Sequence, residues 1–223
     1  MKHILFIVTS IDKTGTGKHA AGYEFSEIAD PYFEFINKGY TVDFASILGG
    51  KPPFVGYDPS QNNSKKFKEG SGFKRLNFSH KLNDVDIDVY DAIFFPGGLG
   101  LMTDMVDNPL VKETIKQVYE SGRVVGAVCH GPTALLNVIL SDGSNLLKGK
   151  KINSFTEAEE NIDKHELGDV IPFMLDAELV NQGAIFSKTT PFDPFVVTDN
   201  NLVTGQNPAS ASEVAIEMMN LLM

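Results

Sequence analysis

The chain has 223 residues, enough for a well-cored domain, and its 42% hydrophobic and 22% charged content excludes disorder as the default. A formal charge of −10 argues against a nucleic-acid binder, which needs a surplus of Lys and Arg on one face, and fits small substrates that need no electrostatic capture. The single cysteine excludes an intramolecular disulfide.

Lys2 and His3 precede an apolar run of only Ile4 to Val8. No signal peptide is therefore expected, nor any membrane span, and the cytoplasm is the expected compartment. Residues 3–8 read as a strand buried on both faces. The run Thr14-Gly-Thr-Gly-Lys18 follows; Asp12 stands where a phosphate loop would need Gly, so it reads as a flexible rim of an active site. A helix is predicted over 24–38, with Ile28, Tyr32, Phe35 and Ile36 on one side and Gly39 as its stop. Pro31 inside it predicts a kink or the true start. A second strand spans 40–46. Residues 48–83 show little periodicity and read as a long irregular insertion whose lysines form a solvated face.

The next strand, 92–95, ends at Pro96-Gly97-Gly98, and Asn108-Pro109 opens a helix that Gly122 closes. Then come a strand over 123–128, a helix over 131–140, a strand over 151–155 and a helix over 170–181. Strands 195–198 and 201–204 meet at Asp199-Asn200, a hairpin signal, and a last helix starts at Asn207-Pro208. Short apolar runs alternating with amphipathic stretches define an α/β fold around a mostly parallel sheet. No linker divides 1–223, so one domain is expected.

A lone cysteine is usually a small buried hydrophobe. Cys129 differs because it ends an apolar strand, where open α/β sheets place their sites. Gly126, Ala127 and Gly131 are small, as a sharp strand-to-helix elbow requires, and Pro132 suits the first turn of a helix. Its N–H groups would stabilise a thiolate, lowering the thiol pKa, and could hold an oxyanion. His130 is a candidate proton carrier, although neighbouring residues at such a turn diverge.

Ala-Val-Cys-His-Gly-Pro (127–132) after Phe-Phe-Pro-Gly-Gly (94–98) resembles the ThiJ/PfpI superfamily. So do Glu27-Ile-Ala-Asp-Pro31, Ala45-Ser46 through Gly49-Gly-Lys-Pro-Pro53, Phe155-Thr156 and Val203-Thr-Gly-Gln-Asn-Pro-Ala-Ser210, in order along nearly the whole chain. They point to its branch of small glyoxalase- and chaperone-like proteins. The resemblance implies a three-layer sandwich, flavodoxin-like and similar to class I glutamine amidotransferases, and a homodimer. It implies Cys129 as nucleophile, His130 beside it, and Glu27 as an acid against the thiol. From the residues alone, Glu24 would serve as well as Glu27. It implies a further acid after Phe155-Thr156, with spacing favouring Glu160 over Glu159, and an oxyanion hole from the backbone N–H of Gly98 and His130. Gly97 and Leu99 would line the substrate pocket. Leu99 stands where close relatives often carry His, which changes the polarity of that pocket and leaves the nucleophile in place.

The activity implied first is a glyoxalase of the glyoxalase III type that needs no cofactor and no metal, converting methylglyoxal to D-lactate, with deglycase action by the same chemistry. Alternatives are a PfpI-like cysteine amidase or peptidase, and a non-enzymatic chaperone or cysteine redox sensor. The expected partner is a small carbonyl or amide substrate.

Overall fold

The computed structural model describes residues 2–14 and 17–223, so Gly15 and Thr16 of the expected rim lie outside the described residues. The first half of the chain holds β1 (His3–Val8), β2 (Tyr23–Glu24), α1 (Ser26–Asn37), β3 (Thr41–Ser46), β4 (Phe54–Val55), α2 (Asn62–Glu69), α3 (Ser71–Leu76), β5 (His80–Lys81), β6 (Ala92–Phe95), α4 (Leu101–Asp104) and α5 (Pro109–Glu120). The second half holds β7 (Val124–Val128), β8 (Lys151–Ile152), α6 (Glu157–Asp163), α7 (Leu175–Asn181), β9 (Ile185–Phe186), β10 (Val196–Asp199), β11 (Leu202–Gly205) and α8 (Ala211–Leu221).

Seven strands form one sheet in the order β10-β11-β7-β6-β1-β3-β5, parallel throughout except for the β10–β11 hairpin. Parallel pairing requires cover on both faces. Ile4, Phe6 and Val8 accordingly join one core with residues of α1 and α8, while Leu5 and Ile7 join a second with residues of α5 and α7. The result is the expected three-layer α/β sandwich. Sequence order reverses at β1, between β3 and β6, and the carboxyl ends of the strands beside such a switch point are where these sheets bind ligands. Among the described residues no helix is long and apolar enough to cross a membrane.

Local chemistry explains most boundaries. Asn108 caps α5, its side chain accepting from the N–H groups of Leu110 and Val111, and Gly122 ends the turn at φ +76°. Helix α1 runs through Pro31, which lacks an N–H, so the Glu27 carbonyl receives no bond from it. The helix begins at Ser26 because Tyr23–Glu24 pairs with Phe54–Val55 instead of coiling.

Four expectations are corrected. Residues 48–83 are not irregular: they hold β4, α2, α3 and β5, with Phe67, Phe73 and Leu76 buried in the core that α1 faces. The Lys68 Nζ there lies 4.0 Å from the ring centres of both Phe54 and Phe73, so one lysine of the supposed solvated face packs on aromatic rings. The helix over 131–140 is a single 3₁₀ turn, Gly131–Leu135, followed by extended Leu136 and by Asn137 at φ +60°. Ala134, Leu135, Leu136 and Val138 are all buried, an all-round burial that a half-exposed helix could not provide. The strand over 151–155 shrinks to Lys151–Ile152, paired with β9 outside the main sheet, and the helix over 170–181 starts only at Leu175.

Candidate active site

Strand β7 delivers Cys129 at the carboxyl edge of the sheet with φ +60°, a left-handed conformation that a residue with a side chain adopts only under constraint. Backbone bonds supply it: Cys129 N–H donates to Gly205 at 2.9 Å, and its carbonyl accepts from Phe155 at 2.9 Å. A Cβ on Gly131 would fall 2.3 Å from the Phe95 carbonyl oxygen, so the elbow closes only with glycine there. Gly126 is small for another reason, since Met218 of α8 fills the space where its side chain would go.

Two ionisable side chains flank the sulfur, and a third stands behind one of them. His130 Nδ1 lies 3.4 Å from Cys129 Sγ, and its Nε2 is 2.8 Å from Glu160 Oε1. Both His130 and Glu160 are buried. On the other side, Glu27 of α1 is fully buried, its Oε2 accepting the Gly97 N–H at 2.5 Å. Its Oε1 has no oxygen or nitrogen partner, and the Cys129 thiol is the group that hydrogen-bonds this carboxyl. Gly97 is wedged into this cluster: a Cβ there would sit 2.6 Å from Glu27 Oε2, 2.7 Å from Cys129 Cβ and 2.8 Å from the His130 nitrogen. Gly98 turns away at φ +111°, and neither its N–H nor that of His130 meets a protein acceptor among the described residues.

The fold thus brings Cys129, His130, Glu27 and Glu160 together. Leu99 lines the same cavity of about 280 Å³ as expected, together with Gly98, Glu24, Phe155 and His165, whereas Gly97, expected in the wall, is taken up by packing against Glu27, Cys129 and His130. Glu159 goes elsewhere. It closes a capping box with Thr156 and accepts from Phe192, Gln206 and Asn207, so it ties three segments together. His165 was not anticipated. Its Nδ1 lies 2.6 Å from Glu160 Oε2, so one carboxylate serves two imidazoles.

Electrostatics correct the expectation of an acidic thiol. Burial first, and then the adjacent Glu27 carboxyl, push the Cys129 thiol well above its ordinary value. A five-residue 3₁₀ turn offers little dipole to offset this. Burial, then the charge on Glu24, likewise raises Glu27 well above the usual carboxylate range, with the Gly97 and Cys129 bonds opposing. Two raised acids in contact share a proton between them. Burial raises Glu24 to about 7. Glu160 goes the other way: burial alone would raise it, but bonds and charge from His130 and then His165 hold it at about 2.

His130, Glu160 and His165 bring two imidazole nitrogens and a carboxylate within 4.8 Å of one another, a donor set that suits a divalent cation. Each nitrogen already bonds its own carboxylate oxygen, so an ion would have to displace both bonds.

A parallel sheet carrying an elbow cysteine, an adjacent histidine and a buried acid defines a class, and the DJ-1/PfpI family model matches residues 19–221. The chain belongs to the DJ-1/PfpI family. Among curated relatives, Glyoxalase 3 of Candida albicans is 32% identical, the match covering 98% of each chain. The crystal structure of glyoxalase III from that organism has a TM-score of 0.87 at 29% identity, covering 99% of this chain and 97% of that one. The structure of Rapid Encystment Protein 24 KDa from Francisella tularensis has a TM-score of 0.92 at 34% identity over 100% of both chains.

Proposed function

We propose that this protein is a glutathione-independent glyoxalase of the glyoxalase III type, converting methylglyoxal to D-lactate with Cys129 as nucleophile. The observation that carries the reading is the sulfur held between Glu27 and His130 in the wall of a cavity of about 280 Å³. That volume suits a three-carbon dicarbonyl. A thiol that is 4% exposed and pushed upward by burial is also unlike the exposed low-pKa thiol a redox sensor needs. Similarity to proteins named as glyoxalases over nearly the full chain supports the same reading.

In this mechanism the thiol proton passes to Glu27 as sulfur adds to the aldehyde carbon, giving a hemithioacetal. His130, oriented by Glu160, takes the proton from that carbon and returns it to the neighbouring one, so the skeleton becomes the thioester of a hydroxy acid with no net oxidation. Water hydrolyses the thioester, releasing lactate and restoring the thiol. The free N–H groups of Gly98 and His130 steady the oxyanion, and Leu99 shapes the wall. No cofactor takes part in this scheme. A cytoplasmic homodimer belongs to the proposal through the family resemblance.

The direct test is Cys129→Ala, assayed for loss of methylglyoxal and formation of D-lactate. Turnover is expected to vanish. Undiminished turnover, or a wild type that consumes no dicarbonyl, would overturn the reading.

A further inference from the structure

His165 occupies a position that orienting His130 does not require. Helix α6 ends at Asp163, and Lys164 takes the left-handed conformation at φ +59°, which turns the chain back. The His165 N–H then donates to the Glu160 carbonyl at 2.9 Å, while its Nδ1 bonds the Glu160 carboxylate at 2.6 Å. The ring is thus pinned at two points to one residue, yet its side chain stays 23% exposed and lines the cavity that holds Cys129.

The inventory of the cavity wall gives this ring a task. The other ionisable side chains there are Glu24, Glu27, Asp163, Cys129 and His130, with no Lys or Arg among the described lining residues. Both nitrogens of His130 are engaged, Nδ1 with the sulfur and Nε2 with Glu160. His165 has lent Nδ1 to Glu160, and its Nε2 meets no protein partner among the described residues. That Nε2 is therefore the one imidazole nitrogen of the wall without a partner at rest, and the one free to meet a substrate oxygen. A small dicarbonyl has two oxygens, and the backbone N–H groups beside Cys129 can serve only the one on the attacked carbon.

We infer that His165 is a further catalytic residue: its Nε2 binds the second carbonyl oxygen of a 1,2-dicarbonyl and hands it a proton. The inference rests on the glyoxalase reading above and names the chemistry the substrate needs, an oxygen on the carbon next to the aldehyde. As the base removes the C–H proton of the hemithioacetal, His165 protonates the ketone oxygen, and an enediol forms. The base then returns its proton to the second carbon. His165 regains a proton from the hydroxyl on the first carbon, which becomes the thioester carbonyl. Protons balance, and nothing is oxidised or reduced overall.

With Nδ1–H donated to Glu160, only the protonated ring carries an Nε2 proton to give. The hydrogen bond to Glu160, then the charges of Glu160 and Asp163, favour that form and raise His165 above the usual histidine value against its partial burial. His130 faces it from the elbow, the ring centres 6.3 Å apart.

The test compares His165→Gln and His165→Leu with wild type, using methylglyoxal as substrate and iodoacetamide as a probe of Cys129 that has no second oxygen to bind. Both variants are expected to lose about 10²-fold or more in kcat. KM should stay near wild type in the Gln variant, whose amide can still donate, and rise in the Leu variant. Alkylation of Cys129 should stay within a factor of about two of wild type in both. The acidic form should also appear in the pH profile, with the alkaline fall of kcat that follows His165 deprotonation absent from both variants. If kcat in both variants stays within a factor of about three of wild type, this inference falls while the glyoxalase reading stands. Equal losses in turnover and alkylation would make His165 a structural prop for Glu160, which also overturns it. A wild type inert toward dicarbonyls would remove both readings.

Discussion

Replacing Glu160 by Gln tests whether the His130–Glu160–His165 cluster acts through charge. Glu160 is 1% exposed and gives one oxygen to each imidazole. Its carboxyl, moved from 4.5 to about 2, contributes about 3 kcal/mol of stability that is present above pH 4.5 and is lost as pH falls toward 2. His165 has the opposite sign. Because its folded value is raised, its contribution is full below 6.5 and disappears as pH rises through that folded value. Both contributions describe largely the same interaction, so they set a window and do not add. The unfolding free-energy difference between wild type and Glu160→Gln should therefore peak between about pH 4.5 and 6.5, at no more than about 3 kcal/mol, and shrink on either side. Urea unfolding across about pH 3 to 8 measures it. A difference that stays flat over that range would refute the ion-pair reasoning and leave Glu160 as a simple hydrogen-bond acceptor.

Two further substitutions probe the other side of the sulfur. Glu27→Gln keeps an oxygen to accept the Gly97 N–H but cannot take the thiol proton, so turnover should fall about 10²- to 10⁴-fold while stability changes by only about 1 kcal/mol, read by methylglyoxal consumption and by urea midpoint. Gly97→Ala forces a methyl within 2.6 Å of Glu27 Oε2 and 2.8 Å of the His130 nitrogen, so it should abolish turnover and cost about 1–3 kcal/mol, seen in the same two measurements.

The sheet and the elbow were legible in the sequence because they are local: apolar runs ending in Pro96-Gly97-Gly98 and Gly131-Pro132 record strand, turn and close backbone approach within a few residues. The choice between Glu24 and Glu27 was not local. It depends on Tyr23–Glu24 pairing with Phe54–Val55, a contact no periodicity reveals, which starts α1 at Ser26 and turns Glu27 toward the thiol while leaving Glu24 at the rim. The choice between Glu159 and Glu160 did have a local signal. Thr156-Glu-Ala-Glu159 is a capping-box pattern, which commits Glu159 to the Thr156 N–H and leaves Glu160, one position on, to face His130. His165 was hidden because it depends on Lys164 taking a left-handed cap, where a helix more often ends in glycine.

The thiol shows why local reasoning misjudged the chemistry even where it found the residue. A helix N-terminus at Cys129 would have implied a standing thiolate. The chain instead follows the elbow with one 3₁₀ turn whose apolar residues fill the second core, and it buries the sulfur against a carboxyl. The pair then holds its shared proton on sulfur at rest, and in the proposed mechanism the nucleophile is generated only when the Glu27 carboxylate accepts that proton during attack. Such a site is restrained at rest. In the proposed mechanism a diffusing oxidant meets mostly thiol, whereas an electrophile that fills the cavity and draws charge onto its oxygens triggers the proton transfer. Selectivity here resides in the shared proton as much as in the shape of the wall.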